Sequence, residues 1–263
     1  MQGAGAAGGS QEQSGVPWGV TTGQHRIAMW SGPRTLSTAL MRSFGNRQDT
    51  VVTDEPLYGY YLARTGIEHP GRDEILASMP TQWTDVVRQL ARTELPPGKT
   101  IYYQKHMTHH LLAEIDRDAL AGLQHAFLIR DPRRLLASYA KVRATPTLAD
   151  LGLEQQVEIF RRFGGPVIDA ADIAARPRPA LEALCAALAI PFDEAMLAWP
   201  PGPRPEDGIW ARHWYANVWA STGFAPRRGS GKAPADLPPE LEPLAARCQP
   251  CYDELTACRL IVP

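Results

Sequence analysis

The sequence lacks the features that would direct it to a membrane, a nucleic acid or an oxidising compartment. No stretch approaches the roughly 18 consecutive apolar residues that a spanning helix needs, and the first residues do not resemble a signal peptide. The formal net charge is −1, so no excess of positive charge indicates nucleic acid or an anionic membrane as a partner. Four cysteines in 263 residues are too few for a disulfide framework. We therefore expect a cytoplasmic protein without nucleic-acid or membrane partners.

Three of the cysteines, Cys248, Cys251 and Cys258, lie close together near the end of the chain. Zinc ligands can show such a spacing, but a tetrahedral site needs a fourth ligand, and no second cysteine pair or nearby histidine supplies one. We expect no metal site and interpret these thiols as packing on a C-terminal helix.

The length and composition of the chain suit one large hydrophobic core, because 44% of its 263 residues are hydrophobic. Residues 1–24 are rich in Gly, Ala, Ser and Gln and show no apolar periodicity, which predicts a disordered tail. Residues 25–263 are then expected to form a single domain. The oligomeric state has no signature in the sequence.

Short apolar segments alternate with amphipathic, helix-like segments. The predicted strands cover residues 27–30, 50–53, 100–104, 126–129 and 167–170. Such alternation predicts right-handed β-α-β units. The expected fold class is α/β, with a central, mostly parallel sheet flanked by helices.

One segment, Ser31 to Thr38, joins the first predicted strand directly to a helix. The N–H groups and the dipole at a helix N-terminus attract an anion. Arg34 adds donors that suit phosphate oxygens, and Thr35, Ser37 and Thr38 add hydroxyls. A tight turn with a Ser or Thr helix cap would explain the same residues. The second glycine and the lysine of a nucleoside-triphosphate loop are absent.

A second segment, Arg-Asp-Pro-Arg, begins at Arg130, directly after a predicted strand. Open α/β sheets bind ligands at this end of their strands. Ser138 follows about two helical turns into the next helix and can face the same crevice. The alternative is that Arg130 pairs with Asp131 and that Ser138 is a small packing residue.

Taken together, these two segments resemble the sulfotransferase family. In that family the first motif holds the 5′-phosphosulfate of 3′-phosphoadenosine 5′-phosphosulfate and the second holds its 3′-phosphate. The loop is more similar to that of tyrosylprotein-type enzymes than to the cytosolic type, with Arg34 in place of lysine and Leu36 in place of glycine. Arg227, Arg228 and Gly229 resemble a third motif, which contacts the 3′-phosphate, although a solvated basic loop explains them equally.

The resemblance implies a three-layer sandwich like that of P-loop nucleotide hydrolases. It also implies a transferase that moves a sulfuryl group to a hydroxyl or amine of a small-molecule acceptor by in-line displacement. The product would be adenosine 3′,5′-bisphosphate, and no metal would be needed. Two alternatives stay open, namely a donor-binding protein without transfer activity and a P-loop-type phosphotransferase.

An acceptor hydroxyl needs a base to take its proton. Glu55 is our first candidate, because its spacing after Arg34 resembles that of the catalytic glutamate in tyrosylprotein-type enzymes. His106 is the second, since its segment is similar to the one that carries the catalytic histidine of cytosolic enzymes. The resemblance assigns Lys105 to the bridging oxygen of the donor. Further base candidates are Asp54, His109 and His110.

The stretch from residue 210 to residue 224 concentrates aromatic side chains. We predict one short helix near residues 207–221. The aromatic residues could line an acceptor pocket or a lid that excludes water, and a helix packed on the core would explain them as well.

Overall fold

The computed structural model describes residues 23–143, 145–224 and 236–263. At its centre lies a five-stranded parallel sheet with the strand order β2-β3-β1-β4-β5. The strands are β1 (His25–Ser31), β2 (Thr50–Asp54), β3 (Ile101–Met107), β4 (Gln124–Ile129) and β5 (Val167–Asp169). All five predicted strands are present, and the predicted α/β class with a parallel sheet is confirmed. Most of the predicted N-terminal tail lies outside the described residues.

Helices connect and cover these strands. They are α1 (Ser37–Gly45), α2 (Tyr58–Thr65), α3 (Arg72–Ser78), α4 (Trp83–Arg92), α5 (Pro132–Tyr139), α6 (Leu148–Leu151), α7 (Leu153–Phe163), α8 (Ala170–Ala175), α9 (Pro177–Ala187), α10 (Ala211–Trp214), α11 (Ala216–Trp219) and α12 (Glu242–Ala257). No helix of the described residues is long and apolar enough to cross a membrane.

The prediction of one helix near residues 207–221 is wrong. Two short helices, α10 and α11, occupy this segment, and Tyr215 lies between them. The backbone of Tyr215 leaves the helical region, with φ −102° and ψ 9°. Its side chain is buried against the ends of β2 and β3, and this tertiary contact overrides the helical pattern of the sequence.

Both faces of the sheet are buried, as the alternation of side chains along β1 shows. Ile27 and Met29 pack in one hydrophobic cluster with residues of α1, α2, α8 and α9. Ala28 and Trp30 pack in a second cluster with residues of α4, α7 and α12. Because successive residues of a strand point to opposite faces, one strand contributes to two cores and the domain has three layers.

The connections that follow β1 and β3 run toward opposite edges of the sheet. The chain runs from β1 to β2 on one side and from β3 to β4 on the other. Such a switch point opens a crevice at the carboxyl ends of parallel strands. Behind it, the fully buried amide of Gln156 on α7 donates to Trp30 O at 3.0 Å and to Leu128 O at 3.1 Å. This side chain joins the ends of β1 and β4.

Candidate active site

A cavity of about 760 Å³ lies at the carboxyl ends of β1, β2 and β3. The loop after β1, residues 33–39, forms one wall, and Glu55 and Lys105 lie at the strand ends. Aromatic and histidine side chains form much of the remaining wall, namely Tyr58, His69, His109, His110, Tyr139, Trp210, Trp214, Tyr215 and Phe224. The cavity therefore brings the predicted anion loop next to two of the predicted catalytic residues.

The loop after β1 turns sharply through two residues with positive φ. Arg34 has φ 61° and Leu36 has φ 70°, a conformation that non-glycine residues adopt at a cost of about 1 kcal/mol or more. Leu36 thus takes the backbone conformation that a glycine would favour at this position. It is also the residue before α1, and its side chain has no acceptor with which to cap the helix. The first N–H groups of α1 therefore lack a side-chain cap from this residue.

The three predicted hydroxyl residues of the loop all line the cavity. The buried Thr35 hydroxyl donates to Gly32 O at 2.8 Å, so its side chain fixes the turn. Ser37 and Thr38 begin α1. Gly32 itself allows close packing, because a Cβ there would lie 2.8 Å from Leu151 O.

The second predicted motif touches the loop directly. The Arg34 guanidinium donates from Nε to Ser138 Oγ on α5 at 3.2 Å, and the Arg130 guanidinium donates to Arg34 O. Asp131 caps α5 by accepting from the Arg134 N–H at 3.0 Å, and Pro132 occupies the first helical turn. The structure thus brings Arg34, Arg130 and Ser138 together from distant parts of the sequence. The third predicted motif, residues 227–229, lies outside the described residues.

A buried ionic cluster occupies the ends of β2 and β3. Lys105 Nζ donates to Asp54 Oδ1 at 2.8 Å, to Glu55 Oε1 at 2.6 Å and to the Tyr215 hydroxyl at 2.8 Å. The Tyr215 hydroxyl in turn donates to Asp54 Oδ2 at 2.6 Å. Parallel pairing of β2 with β3 places Asp54 opposite Lys105. Sequence reasoning missed Tyr215 in this cluster, and its only signal was a position within an aromatic stretch.

The charges in this cluster shift the pKa values of its members. Burial raises the pKa of Glu55, although the Lys105 ammonium partly offsets the effect. Burial alone would lower the pKa of Lys105, but the carboxylates of Asp54 and Glu55 more than compensate and raise it well above its usual value. Lys105 is therefore a fixed cation. Glu55 is a carboxylate of increased basicity at the surface of the cavity.

His106 lies on the opposite face of β3 from Lys105, as adjacent residues of a strand must. Its ring stacks on Trp30 with the centroids 4.3 Å apart, and its Nε2 lies 3.2 Å from Gln104 Oε1. Burial, together with the nearby His125 and Lys105, lowers the pKa of His106 to about 3. His106 does not line the cavity. The structure therefore separates it from Glu55 and Lys105.

The aromatic and histidine side chains named above form what we call the aromatic wall of the cavity, which Glu68 and Arg143 also line. The His110 ring stacks on Tyr58 at 4.9 Å and on Tyr61 at 4.6 Å between centroids, and the Tyr58 hydroxyl lies 2.6 Å from His69 Nδ1. Burial lowers the pKa of His109 to about 4 and that of His110 well below its usual value. These imidazoles are therefore neutral near pH 7. Among the described residues, no group of three or more His, Cys, Asp or Glu side chains could hold a metal ion.

The arginine-containing loop thus lies at the switch point of the α/β sheet, in one cavity with Glu55 and Lys105. A family model described as a sulfotransferase domain matches residues 25–246. The chain belongs to the sulfotransferase family. The resemblance predicted from the two motifs is thereby confirmed.

Two curated relatives come from Arabidopsis thaliana. The chain is 39% identical over 234 residues to branched-chain-amino-acid aminotransferase-like protein 1 and 37% identical over 235 residues to protein 2 of that name. Each match covers 87% of this chain and 41% of the relative. The chain thus spans about two fifths of the length of these relatives, and their names do not assign an activity to it.

Solved sulfotransferase structures share the fold. The sulfotransferase domain from the curacin biosynthetic pathway has a TM-score of 0.51 at 14% identity, covering 91% of this chain and 99% of that domain. A sulfotransferase from Alicyclobacillus acidocaldarius has a TM-score of 0.51 at 13% identity, covering 89% of this chain and 95% of its own. At such low identity, the two comparisons show the common architecture alone.

Proposed function

We propose that this protein transfers a sulfuryl group from 3′-phosphoadenosine 5′-phosphosulfate to a hydroxyl or amine of a small-molecule acceptor. The observation that carries the proposal is that the loop at Arg34 contacts both Arg130 and Ser138 and shares one cavity with Glu55 and Lys105. Family membership supports sulfuryl transfer in general. The proposal needs neither a metal nor a macromolecular partner.

On the donor side, the residues present fit an anion with two charged ends. Arg34, Thr38 and the uncapped N–H groups of α1 would hold the 5′-phosphosulfate, since a helix N-terminus with an arginine suits phosphate-like oxygens. Arg130 and Ser138 would hold the 3′-phosphate, as the family resemblance implies. When bound, the donor supplies an activated sulfuryl group.

In the transfer step, Glu55 accepts the proton of the acceptor as the acceptor oxygen or nitrogen forms its bond to sulfur. The bond from sulfur to the 5′-phosphate oxygen breaks, and the bisphosphate leaves with the electron pair. Lys105 neutralises the charge that develops on that oxygen. The aromatic wall excludes water, which limits transfer to water.

Basicity and position favour Glu55 over the histidines as the base. His106 does not reach the cavity. His109 lines it, but a pKa lowered to about 4 makes its imidazole a weak proton acceptor. Glu55 lines the cavity and has a pKa raised by burial, and a raised value brings a carboxylate closer to the pH at which a base works best.

Isothermal calorimetry with adenosine 3′,5′-bisphosphate tests the donor site, with ATP plus magnesium as the competing ligand. We expect the bisphosphate to bind, and Arg34→Ala or Arg130→Ala to abolish binding. Arg88→Ala is the matched control, because Arg88 forms an exposed pair with Asp85 on α4, away from the cavity. Binding of ATP with no binding of the bisphosphate would refute the proposal and favour a phosphotransferase.

Labelled donor incubated with cell extract tests transfer, with mass spectrometry to detect a gain of one sulfuryl group. We expect Glu55→Gln to bind the bisphosphate and to lose transfer, and His106→Gln to retain transfer. Normal turnover by Glu55→Gln would assign the base to another group. Bisphosphate binding without a sulfated product in any extract would favour a donor-binding protein instead.

A further inference from the structure

All three protons of the Lys105 ammonium are occupied within the protein. An ammonium has three donors, and Lys105 Nζ has three oxygen acceptors, on Asp54, Glu55 and Tyr215, at 2.8, 2.6 and 2.8 Å. Its side chain is 2% exposed. Lys105 can therefore donate to a leaving phosphate only if it gives up one of these acceptors.

The three acceptors differ in how firmly they are held. Asp54 and Tyr215 bond to each other at 2.6 Å, and the Asp54 side chain is 1% exposed. The Trp210 indole N–H also donates to the Tyr215 hydroxyl, at 3.4 Å. Glu55 has the more exposed side chain of the two carboxylates, at 12%, and it lines the cavity. Glu55 is thus the acceptor that an incoming ligand can replace.

We propose that Asp54 and Tyr215 are positioning residues that clamp Lys105, and that donor binding displaces Glu55 from Lys105 and thereby frees it to act as the base. The inference rests on the proposed function. It assigns to Asp54 and Tyr215 a role that acts through Lys105 rather than through contact with the substrates.

The charge balance of the cluster couples this exchange to the uptake of a proton. One ammonium between two carboxylates leaves a net charge of −1, which repels an anionic ligand. If the ligand takes the place of Glu55, that carboxylate loses its cation in a buried environment and its pKa rises further. At pH values below the new pKa, ligand binding is therefore accompanied by proton uptake. Above it, Glu55 is a free carboxylate that can accept a proton from the acceptor.

Tyr215 also connects the two sides of the cavity. It lies between α10 and α11, which both contribute residues to the cavity lining. Its hydroxyl reaches the ends of β2 and β3. In Tyr215→Phe, one ammonium proton of Lys105 loses its acceptor. The ligand can then bind to that proton while Glu55 stays paired. With Tyr215 in place, the ligand can bind to the Lys105 ammonium only by displacing Glu55.

Proton linkage measures the exchange directly, using adenosine 3′,5′-bisphosphate as the probe. Calorimetry in buffers of different ionisation enthalpy gives the protons taken up on binding between about pH 5 and pH 8. The probe titrates too, so the quantity of interest is the wild-type value minus the value for Glu55→Gln. We expect a positive difference at the acidic end of this range. Equal values at every pH would overturn the inference.

A second comparison isolates Tyr215. We expect Tyr215→Phe to bind the bisphosphate at least as tightly as the wild type but to take up fewer protons, and its transfer activity to fall. Tyr103→Phe is the matched control and should behave as the wild type, because Tyr103 is equally buried on β3 and its hydroxyl has no hydrogen-bond partner among the described residues. Wild-type proton uptake by Tyr215→Phe would refute the clamp.

The outcomes separate this inference from the proposed function. If the wild type does not bind the bisphosphate at all, the proposed function fails. If the wild type binds it and transfers a sulfuryl group, but proton uptake is unaffected by Glu55→Gln, the exchange at Lys105 alone is refuted.

Discussion

Asp207 anchors the segment that carries part of the aromatic wall, and its loss should destabilise the protein strongly. Its Oδ2 accepts from Arg42 at 2.5 Å, from the Arg204 N–H at 2.9 Å and from the Trp219 indole at 2.9 Å. Arg42 belongs to α1, the helix that follows the anion loop. The side chains of Arg42 and Asp207 are 3% and 5% exposed. Asp207→Ala therefore leaves a buried guanidinium without this counter-charge.

Removing one partner of a buried ion pair typically costs about 3–5 kcal/mol. For a chain of this size, each kcal/mol lowers Tm by roughly 2–4 °C. We therefore expect Asp207→Ala to lower Tm by about 10 °C. Asp207→Asn should lose less, because an amide oxygen can still accept the N–H groups of Arg204 and Trp219.

Thermal unfolding followed by circular dichroism measures the effect of Asp207→Ala. The control is Glu194→Ala, which breaks a pair with Arg178 whose side chains are 68% and 49% exposed. Exposed pairs of this kind contribute little because water solvates both partners, so we expect nearly unchanged unfolding. If Asp207→Ala melted within about 2 °C of the wild type, the buried pair would not anchor this segment and the reasoning would be refuted.

Three further predictions concern the loop and the central strands. Gly32→Ala should weaken bisphosphate binding in calorimetry, because the added Cβ would lie 2.8 Å from a carbonyl oxygen of α6. Gly122→Ala is the control and should bind normally, because a Cβ at that position would have no atom within 4 Å. Gln156→Leu should lower the free energy of unfolding by about 2 kcal/mol or more in urea titrations, because two strand carbonyls lose their donor. Burial lowers the pKa of His106 to about 3 and of His125 to about 4, below about 6.5 in the unfolded chain. The contribution of these two histidines to the free energy of unfolding should therefore be fully present above about pH 6.5. It should fall as the pH decreases toward about 4, because the histidines of the unfolded chain bind protons there and the buried histidines of the folded protein do not. A stability that stays constant over this interval would contradict the assignment of these rings as buried and neutral.

The sheet could be predicted because each strand is a short apolar segment bounded by turns. The loop after β1 could be predicted as a candidate anion site because arginine and hydroxyl residues directly follow the first strand. Glu55 and Lys105 were likewise expected near the same edge, since each lies at the end of a strand. These are local features of the sequence, and parallel strands bring their carboxyl ends together.

The long-range partners of Tyr215 and Asp207 could not be predicted. Tyr215 is separated from Lys105 by 110 positions and from Asp54 by 161, and an aromatic residue between two helix-like segments fits a packed helix equally well. Asp207 gave no signal of its contact with Arg42. His106 and Lys105 are adjacent in β3 and point to opposite faces of the sheet. The sequence did not show which of the two faces the cavity. Each of these outcomes depends on tertiary packing, which no local pattern encodes.

Positive φ at Arg34, Leu36 and Glu55 has a consequence for how this protein would respond to directed evolution. Asparagine and glycine tolerate this conformation better than glutamate does, and either one would also remove a buried carboxylate at position 55. Because Asp54 would remain as the counter-charge of Lys105, a selection for heat resistance alone should accept replacement of Glu55. On the proposed function, the same variants would lose their base, so a screen that ignores turnover would enrich stable but inactive proteins.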